Sequence, residues 1–366
     1  MKKAKKLPIL CWIVYGFSLI SAGLYLAFRL SPSFADTFNQ SVSQFARHVL
    51  AKCTYWIPFS LAEWLVLCVP VLFAFLVWIA IRATKDSSQT LLSFLGKLLV
   101  LPCAIFCLFV WTFAPGYAAT GIDQKLGLER KEVSETDLLR ATLSLSQELD
   151  EQSGSLHSSE SGFTRMPYSI AELNQKLLTA YEDFTSDVDW MSTYYSKVKP
   201  VLTSKLLSYS HITGIYSFPT GEANINTDFP DYTLPFTMAH ELAHQRGIAR
   251  EDEANFVAYL VCIKSEDPYI RYSATLSLWE YMMNAMYVTN PEYYKLLLDM
   301  LAPPVKAEEE AYAVFYQQYA ENALADVNDF VNDTYLKSQG EKEGNRSYDL
   351  VVDLAVAFFK SEGKIP

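Results

Sequence analysis

The sequence predicts a mainly α protein in two parts: three transmembrane helices at the N-terminus, then a mostly helical soluble domain with a small β element. Three observations predict it. Residues 7–28, 59–81 and 91–114 are each apolar over the about 20 positions that a bilayer core requires. Beyond residue 115, apolar residues recur at helical spacing, and one stretch, residues 212–227, is interrupted by Gly214, Pro219 and Gly221 and reads as extended or turn structure. Charge divides at the same point: residues 1–114 hold 10 Lys+Arg against 3 Asp+Glu, and the rest of the chain holds 20 against 38. The expected domains are therefore a membrane anchor over 1–114 and a soluble domain over 115–366.

The first span follows Lys2, Lys3, Lys5 and Lys6, and its apolar core exceeds the about 7–15 residues of a signal peptide, so it reads as an uncleaved anchor. Arg82 and Lys85 follow the second span and Lys97 stands near the start of the third, whereas the loop 31–58 offers Arg47 and Lys52. Basic residues gather on the cytoplasmic side, which puts the N-terminus and the loop near Ser87 inside. Three crossings then carry everything after residue 115 outside the cytoplasmic membrane. Lys97 and Pro102 interrupt the third span, although a lysine near a helix end can extend its amine to the interface. Cys11, Cys68, Cys103 and Cys107 fall in the spans and Cys53 and Cys262 outside them, which implies no disulfide scaffold; Cys103 and Cys107 read as apolar packing.

In the soluble part, Glu132–Gln152 has the leucine spacing of an amphipathic helix with Ser134 as its cap, and residues 153–162, rich in Ser and Gly, form a loop. A helix is expected from Ile170 to about Lys197, stopped by Pro200, and another over Val201–Tyr209. After residue 247 the chain reads as almost wholly helical, through Tyr272–Val288, Glu292–Met300 and a long segment from Val305 to about Leu336. The acidic balance of this part disfavours nucleic acid as a partner, which would want a basic face.

The segment Thr237-Met-Ala-His240-Glu241-Leu-Ala-His244-Gln-Arg-Gly247 holds the HExxH spacing. Residues four apart stack on one helix face, so His240 and His244 can offer two imidazole nitrogens to one zinc ion. Glu241 then faces the open position, where a general base would take the proton of the attacking water. Thr237 is the expected N-cap, since Pro235 cannot continue a helix backwards, and Gly247 is placed to end the helix in a left-handed turn.

Two histidines need a third ligand, and the candidates lie in Glu251-Asp252-Glu253-Ala254-Asn255. This stretch looks like the ExxA(D/N) pattern of zinc proteases with a glutamate ligand, with Glu251 in the ligand place. Glu251, Ala254, Asn255, Ala258 and Cys262 share one helix face, from which Asn255 can support a ligand imidazole from behind. Glu253 is the alternative, because it shares its face with Phe256, Val257 and Leu260, where a carboxylate would be costly unless it bound a metal or a cation. The gap between His244 and Glu251 is short for a glutamate-type site and resembles HExxHxxGxxH, but the third histidine's place is taken by Arg250, which cannot ligate. His211, in a loop, is a further ligand to weigh.

The run Thr213–Asn226, the motif helix with its preceding Leu-Pro-Phe, the segment Glu251–Leu260, Asn332–Gly340 and Ser347-Tyr348 together resemble a bacterial membrane-protein family known as domain of unknown function 3810. The resemblance implies a presumed metalloprotease character and names no substrate.

These readings lead to a membrane-anchored, zincin-like zinc metalloprotease with an extracytoplasmic catalytic domain, a peptide or protein substrate and the bilayer as its setting. Glu222–Asp228 reads as an exposed strand edge on which an extended peptide could align, with Asn224 and Asn226 on one side. Tyr216, Tyr272 and Tyr348 are candidate hydroxyl donors to the transition state. Two other classes stay open. One is a membrane-anchored binding or sensing module with a structural or inactive zinc site. The other is an intramembrane protease, against which stand the polar Gln245, Arg246, Arg250, Glu251 and Asp252.

Overall fold

The computed structural model describes residues 7–86, 88–154, 156, 163–320 and 322–365, with side chains for all of these except 83–86, 88–90 and 347–349. The basic N-terminal lysines, Ser87 and most of the 153–162 loop lie outside the described residues. The chain divides into two compact units, residues 1–119 with 217–222 and residues 120–216 with 223–366.

The first unit contains α1 (Ile9–Leu30), α2 (Pro32–Phe38), a π-helical turn (Asn39–Ser43), α3 (Gln44–Thr54), α4 (Leu61–Asp86), α5 (Ser88–Leu98), α6 (Val100–Thr112) and α7 (Ala114–Ala118). Ile9–Leu30, Leu61–Arg82 and Leu91–Thr112 are long and apolar enough to cross a membrane. The third of these is built from most of α5 and the whole of α6, which meet at Leu99. Pro102 sits in the first turn of α6, where a proline costs no helical hydrogen bond, so the break falls just ahead of it. α1 is fastened to α6 by Trp111, whose Nε1 donates to Ser21 Oγ at 3.0 Å while Phe17 stacks on its ring. Arg47 is buried and donates to Asn39 Oδ1 (2.8 Å), Asn39 O (3.1 Å) and Thr112 O (2.6 Å). It thereby satisfies carbonyls that the π turn and the end of α6 leave open. Glu222 caps α4 from a distance, accepting from the amides of Leu61 (3.1 Å) and Ala62 (2.8 Å), where a carboxylate favours the helix dipole.

The second unit contains α8 (Ile122–Lys125), α9 (Glu135–Ser153), α10 (Ile170–Ser186), β1 (Lys199–Pro200), α11 (Ser204–Tyr209), β2 (Gly214–Ser217), β3 (Glu222–Ile225), α12 (Thr233–Gln245), α13 (Glu251–Lys264), α14 (Pro268–Thr289), α15 (Pro291–Met300), α16 (Pro303–Gln317), α17 (Ala323–Gln339) and α18 (Val351–Ser361). α13 is its axis: Glu251 through Cys262 are all buried, and α10, α12, α14 and α18 pack around it. α9 lies along α14, burying Leu138, Leu145 and Leu149 at about 1.5–3 kcal/mol each and receiving the Trp279 indole N–H on Ser146 Oγ at 2.9 Å. Ser134 caps α9 as expected, its Oγ accepting from the Asp137 amide.

Several expectations are corrected. α10 ends at Ser186 rather than near Lys197, because the following residues leave the helix to place Thr193 and Tyr194 on Arg246. α12 starts at Thr233, so Thr237 lies inside it and is not the cap; Pro235 falls in the first turn, where it is tolerated. The long C-terminal segment is two helices, since Asn322 accepts from the amides of Leu324 and Ala325 and starts α17 anew. The strands form a sheet of order β1-β3-β2, with β1 parallel to β3 (Lys199 opposite Asn224, Pro200 opposite Ile225). β3 is therefore paired on both sides and offers no edge to a peptide; β2 is the edge strand beside it.

Asp267 starts α14 by accepting from the Tyr269 amide at 2.9 Å and also pairs with Lys176 at 2.9 Å. Asp267→Ala is expected to destabilise the protein by about 1–2 kcal/mol, read as a lower midpoint in denaturant unfolding of the detergent-solubilised chain; an unchanged midpoint would show that the cap is dispensable.

Candidate metal centre

α12 and α13 meet as a helix–turn–helix, and the turn sets the site. Gly247 ends α12 with φ 98°, a left-handed conformation that glycine adopts without a steric cost. Its successor returns the chain so that Ile248 N bonds Ala243 O at 3.1 Å and Ile248 O meets His244 Nδ1 at 2.7 Å. That carbonyl accepts from Nδ1–H and leaves Nε2 as the nitrogen that faces Glu251. α12 is held from outside by Tyr181, which donates to Ala239 O, and Tyr194, which donates to Gln245 O, both at 2.6 Å. Arg246, buried, lies over the rings of Tyr181 (4.2 Å) and Tyr194 (5.3 Å) and donates to Leu242 O at the helix end, where a cation favours the dipole. The polar residues after the motif thus fold inward: Gln245, Arg246, Glu251 and Asp252 are all buried.

His240, His244 and Glu251 come together, their ligand atoms all within 4.8 Å of one another. Nε2 of His240 and Nε2 of His244 each stand 3.2 Å from the same oxygen, Glu251 Oε2. Bonds of about 2.0–2.1 Å in a tetrahedron set ligand atoms about 3.3 Å apart, so the spacing and the His2Glu donor set both fit zinc. Burial tends to raise the Glu251 pKa, but the His244 charge and hydrogen bonds from both imidazoles outweigh it and hold the carboxyl below the usual range. Burial tends to lower His244, and Glu251 more than reverses this, raising it to about 9; in His240 burial dominates and the shift is downward. Asn255, one turn after Glu251, bears on the His240 ring and donates to Tyr281 Oη at 3.1 Å.

Glu241 is held by backbone. The Tyr216 amide donates to its carboxylate, and burial raises its pKa to about 8. Gly214 lies so close that a Cβ there would stand 2.7 Å from Glu241 Oε1 and 2.8 Å from its Cγ. The other oxygen, Oε2, is buried and has no hydrogen-bond partner among the described residues. Behind β2, Asn224 Nδ2 donates to Ile215 O and Asn226 Nδ2 to Ile212 O, so the two asparagines fix the strand that faces Glu241.

The remaining sequence candidates lie elsewhere. Glu253 accepts from the Ile122 amide at 3.0 Å and pairs with Arg250 at 2.9 Å, so its carboxylate has a cation in place of the histidines. His211 is the one non-glycine residue with positive φ among those described; its Nε2 meets Tyr319 O at 2.8 Å and its ring lies on Tyr316. Tyr272 donates to Glu308, and the Tyr348 side chain lies outside the described residues. Gly214, Arg246 and the Tyr216 amide were not foreseen. Gly214 had a signal, an interruption in an extended run, but nothing in the sequence said which side chain it approaches.

The chain belongs to the family described as protein of unknown function (DUF3810), whose model matches residues 38–356. The match begins within α2 and leaves α1 outside it. No curated protein and no solved structure matches the chain.

Zinc titration of the purified protein separates the two glutamates. Glu251→Ala is expected to weaken affinity by more than about a hundredfold, and Glu253→Gln, which keeps a partner for the Ile122 amide, to leave it unchanged. The opposite ranking would move the ligand to Glu253.

Proposed function

We propose that this family member is a membrane-anchored, zinc-dependent hydrolase of peptide bonds, with His240, His244 and Glu251 as metal ligands and Glu241 as general base. What supports the reading most is the convergence of two imidazole nitrogens on one Glu251 oxygen, 3.2 Å from each. A second support is the unpartnered Oε2 of Glu241 on the residue next to a ligand. When bound, zinc supplies a Lewis acid that lowers the pKa of water at its open position to about 7. Glu241 takes the proton of the attacking water and passes it to the leaving amine. The Tyr216 amide and Gly214 keep that carboxylate from swinging away, and the Ile248 carbonyl keeps His244 in the tautomer that ligates. β2, as an edge strand beside Glu241, offers main-chain groups to an extended peptide or protein substrate.

A binding or sensing module with a structural zinc site is the second reading. It is favoured by the burial of the four residues, His240 8%, Glu241 4%, His244 6% and Glu251 8% exposed. The intramembrane reading has less support, since the motif lies in none of the three candidate spans. The basic residues around the spans support a cytoplasmic N-terminus and an extracytoplasmic second unit.

Glu241→Gln should retain zinc while hydrolysis across an unbiased peptide library falls by at least about a hundredfold, and Gly214→Ala, which forces the carboxylate aside, should do the same. A wild-type protein that binds zinc and cleaves nothing would favour the module. For orientation, a reporter active only outside the cytoplasm should be active when fused after Gly121 and silent when fused between α4 and α5; the reverse pattern would put the metal centre in the cytoplasm.

A further inference from the structure

Residues 31–60 join the first two candidate spans and fold into α2, the π-helical turn and α3. The segment begins at Ser31, directly after the last residue of α1, and ends at Ser60, directly before the first of α4. Hydrogen bonds fix its level against the end of the third span, Leu91–Thr112. Ser43 Oγ donates to Trp111 O at 2.8 Å, and Arg47 Nη1 to Thr112 O at 2.6 Å. The segment therefore lies where one apolar helix ends, another begins and a third finishes, which is one face of the membrane that these helices are long enough to cross.

α3 has two unlike faces, because residues at i, i+4 and i+7 share one side of a helix. Arg47, Ala51 and Thr54 are buried. Arg47 faces the end of α6, and Ala51 lies beneath the turn between β2 and β3, where a Cβ on Gly221 would stand 2.5 Å from Leu50 Cβ and 2.9 Å from the Ala51 amide nitrogen. On the opposite side stand Phe45 and Val49, with Val42 just before them and Trp56 just past the helix end. All four are exposed, Phe45 by 72% and Trp56 by 82%. His48 and Lys52, also exposed, line one edge of this apolar stripe. Beyond it, Phe59 lies edge-on to Trp64 in the first turn of α4, with ring centroids 6.0 Å apart. The apolar surface thus continues onto a helix whose most apolar stretch has no buried residue.

The chemistry of the stripe selects its neighbour. Tryptophan is favoured at the level of lipid headgroups, and a lysine beside it can lay its stem along the apolar layer and put its amine among phosphates. An apolar stripe with a basic edge, held at the level where spans end, suits a helix seated between headgroups and acyl chains. A second copy of the chain fits less well, since the stripe itself holds no acid to meet Lys52 and the amine would lose its water.

We propose that α3 is an interfacial lipid-binding helix, with Phe45, Val49 and Trp56 turned into the outer part of the acyl layer. The inference rests on the reading that Ile9–Leu30, Leu61–Arg82 and Leu91–Thr112 cross the bilayer, and it holds for either orientation of the chain.

Photocrosslinking of the full chain in vesicles of phosphatidylcholine and phosphatidylglycerol tests it, with p-benzoylphenylalanine in place of Phe45, of Val69 inside α4, or of the exposed Glu182 on α10. Intact mass should show a gain of one phospholipid at positions 45 and 69 and none at 182. Fragmentation should place the link near the glycerol end of the acyl chain at 45 and farther along it at 69. Lipid at 69 with none at 45 would overturn the inference alone and leave the face in water. A crosslinked dimer at 45 would overturn it in favour of a second copy. Lipid at neither position would overturn the span reading, and the inference with it.

Discussion

Three consecutive carboxylates, Glu251, Asp252 and Glu253, are buried at the head of α13, and the second unit is arranged around the need to compensate each of them. An uncompensated buried charge costs several kcal/mol, and the helix dipole offsets only part of that. Each acid therefore has its own partner in a different direction. Glu251 meets the two motif histidines, Asp252 meets Arg130 at 2.9 Å, and Glu253 meets Arg250 and the Ile122 amide. Arg130 belongs to the segment between α8 and α9, Ile122 opens α8, and the histidines belong to α12. The electrostatics of one helical turn thus fix the positions of three separate stretches of chain.

The same turn explains what could be read in the sequence and what could not. HExxH, the glycine that closes its helix and the acidic run after it are local patterns, and local patterns survive as sequence signals. The choice between Glu251 and Glu253 was left open because the two differ only in which distant residues face them. Arg250, placed in the sequence where a third histidine would ligate, turns out to serve Glu253. Arg246 read as a mark of water nearby and is instead buried among tyrosines that come from residues 181–194. Helix ends were legible where a side chain caps its own helix, as at Ser134. They were missed where competing geometry decided, as at Pro235, which lies within the first turn of α12, and at Asn322, which divides the long C-terminal run.

The two units also differ in how they satisfy polar groups. In the first, a buried arginine serves carbonyls exposed by a π turn and a helix end, and the glutamate that begins β3 serves the open amides of α4. In the second, acids and bases are matched nearly one to one around α13, while the α14–α16 seam gathers acids and phenols.

Glu241 is held by a peptide amide and by the absence of a side chain at residue 214, which are properties of main-chain path. Side chains at 215 and 216 can therefore be exchanged without removing what holds the carboxylate, provided that glycine stays and the count of residues between Ile212 and Ser217 is kept. A single insertion there would shift the strand's register against Asn224 and Asn226 and turn the wrong amide toward Glu241 while leaving every residue of the HExxH motif intact.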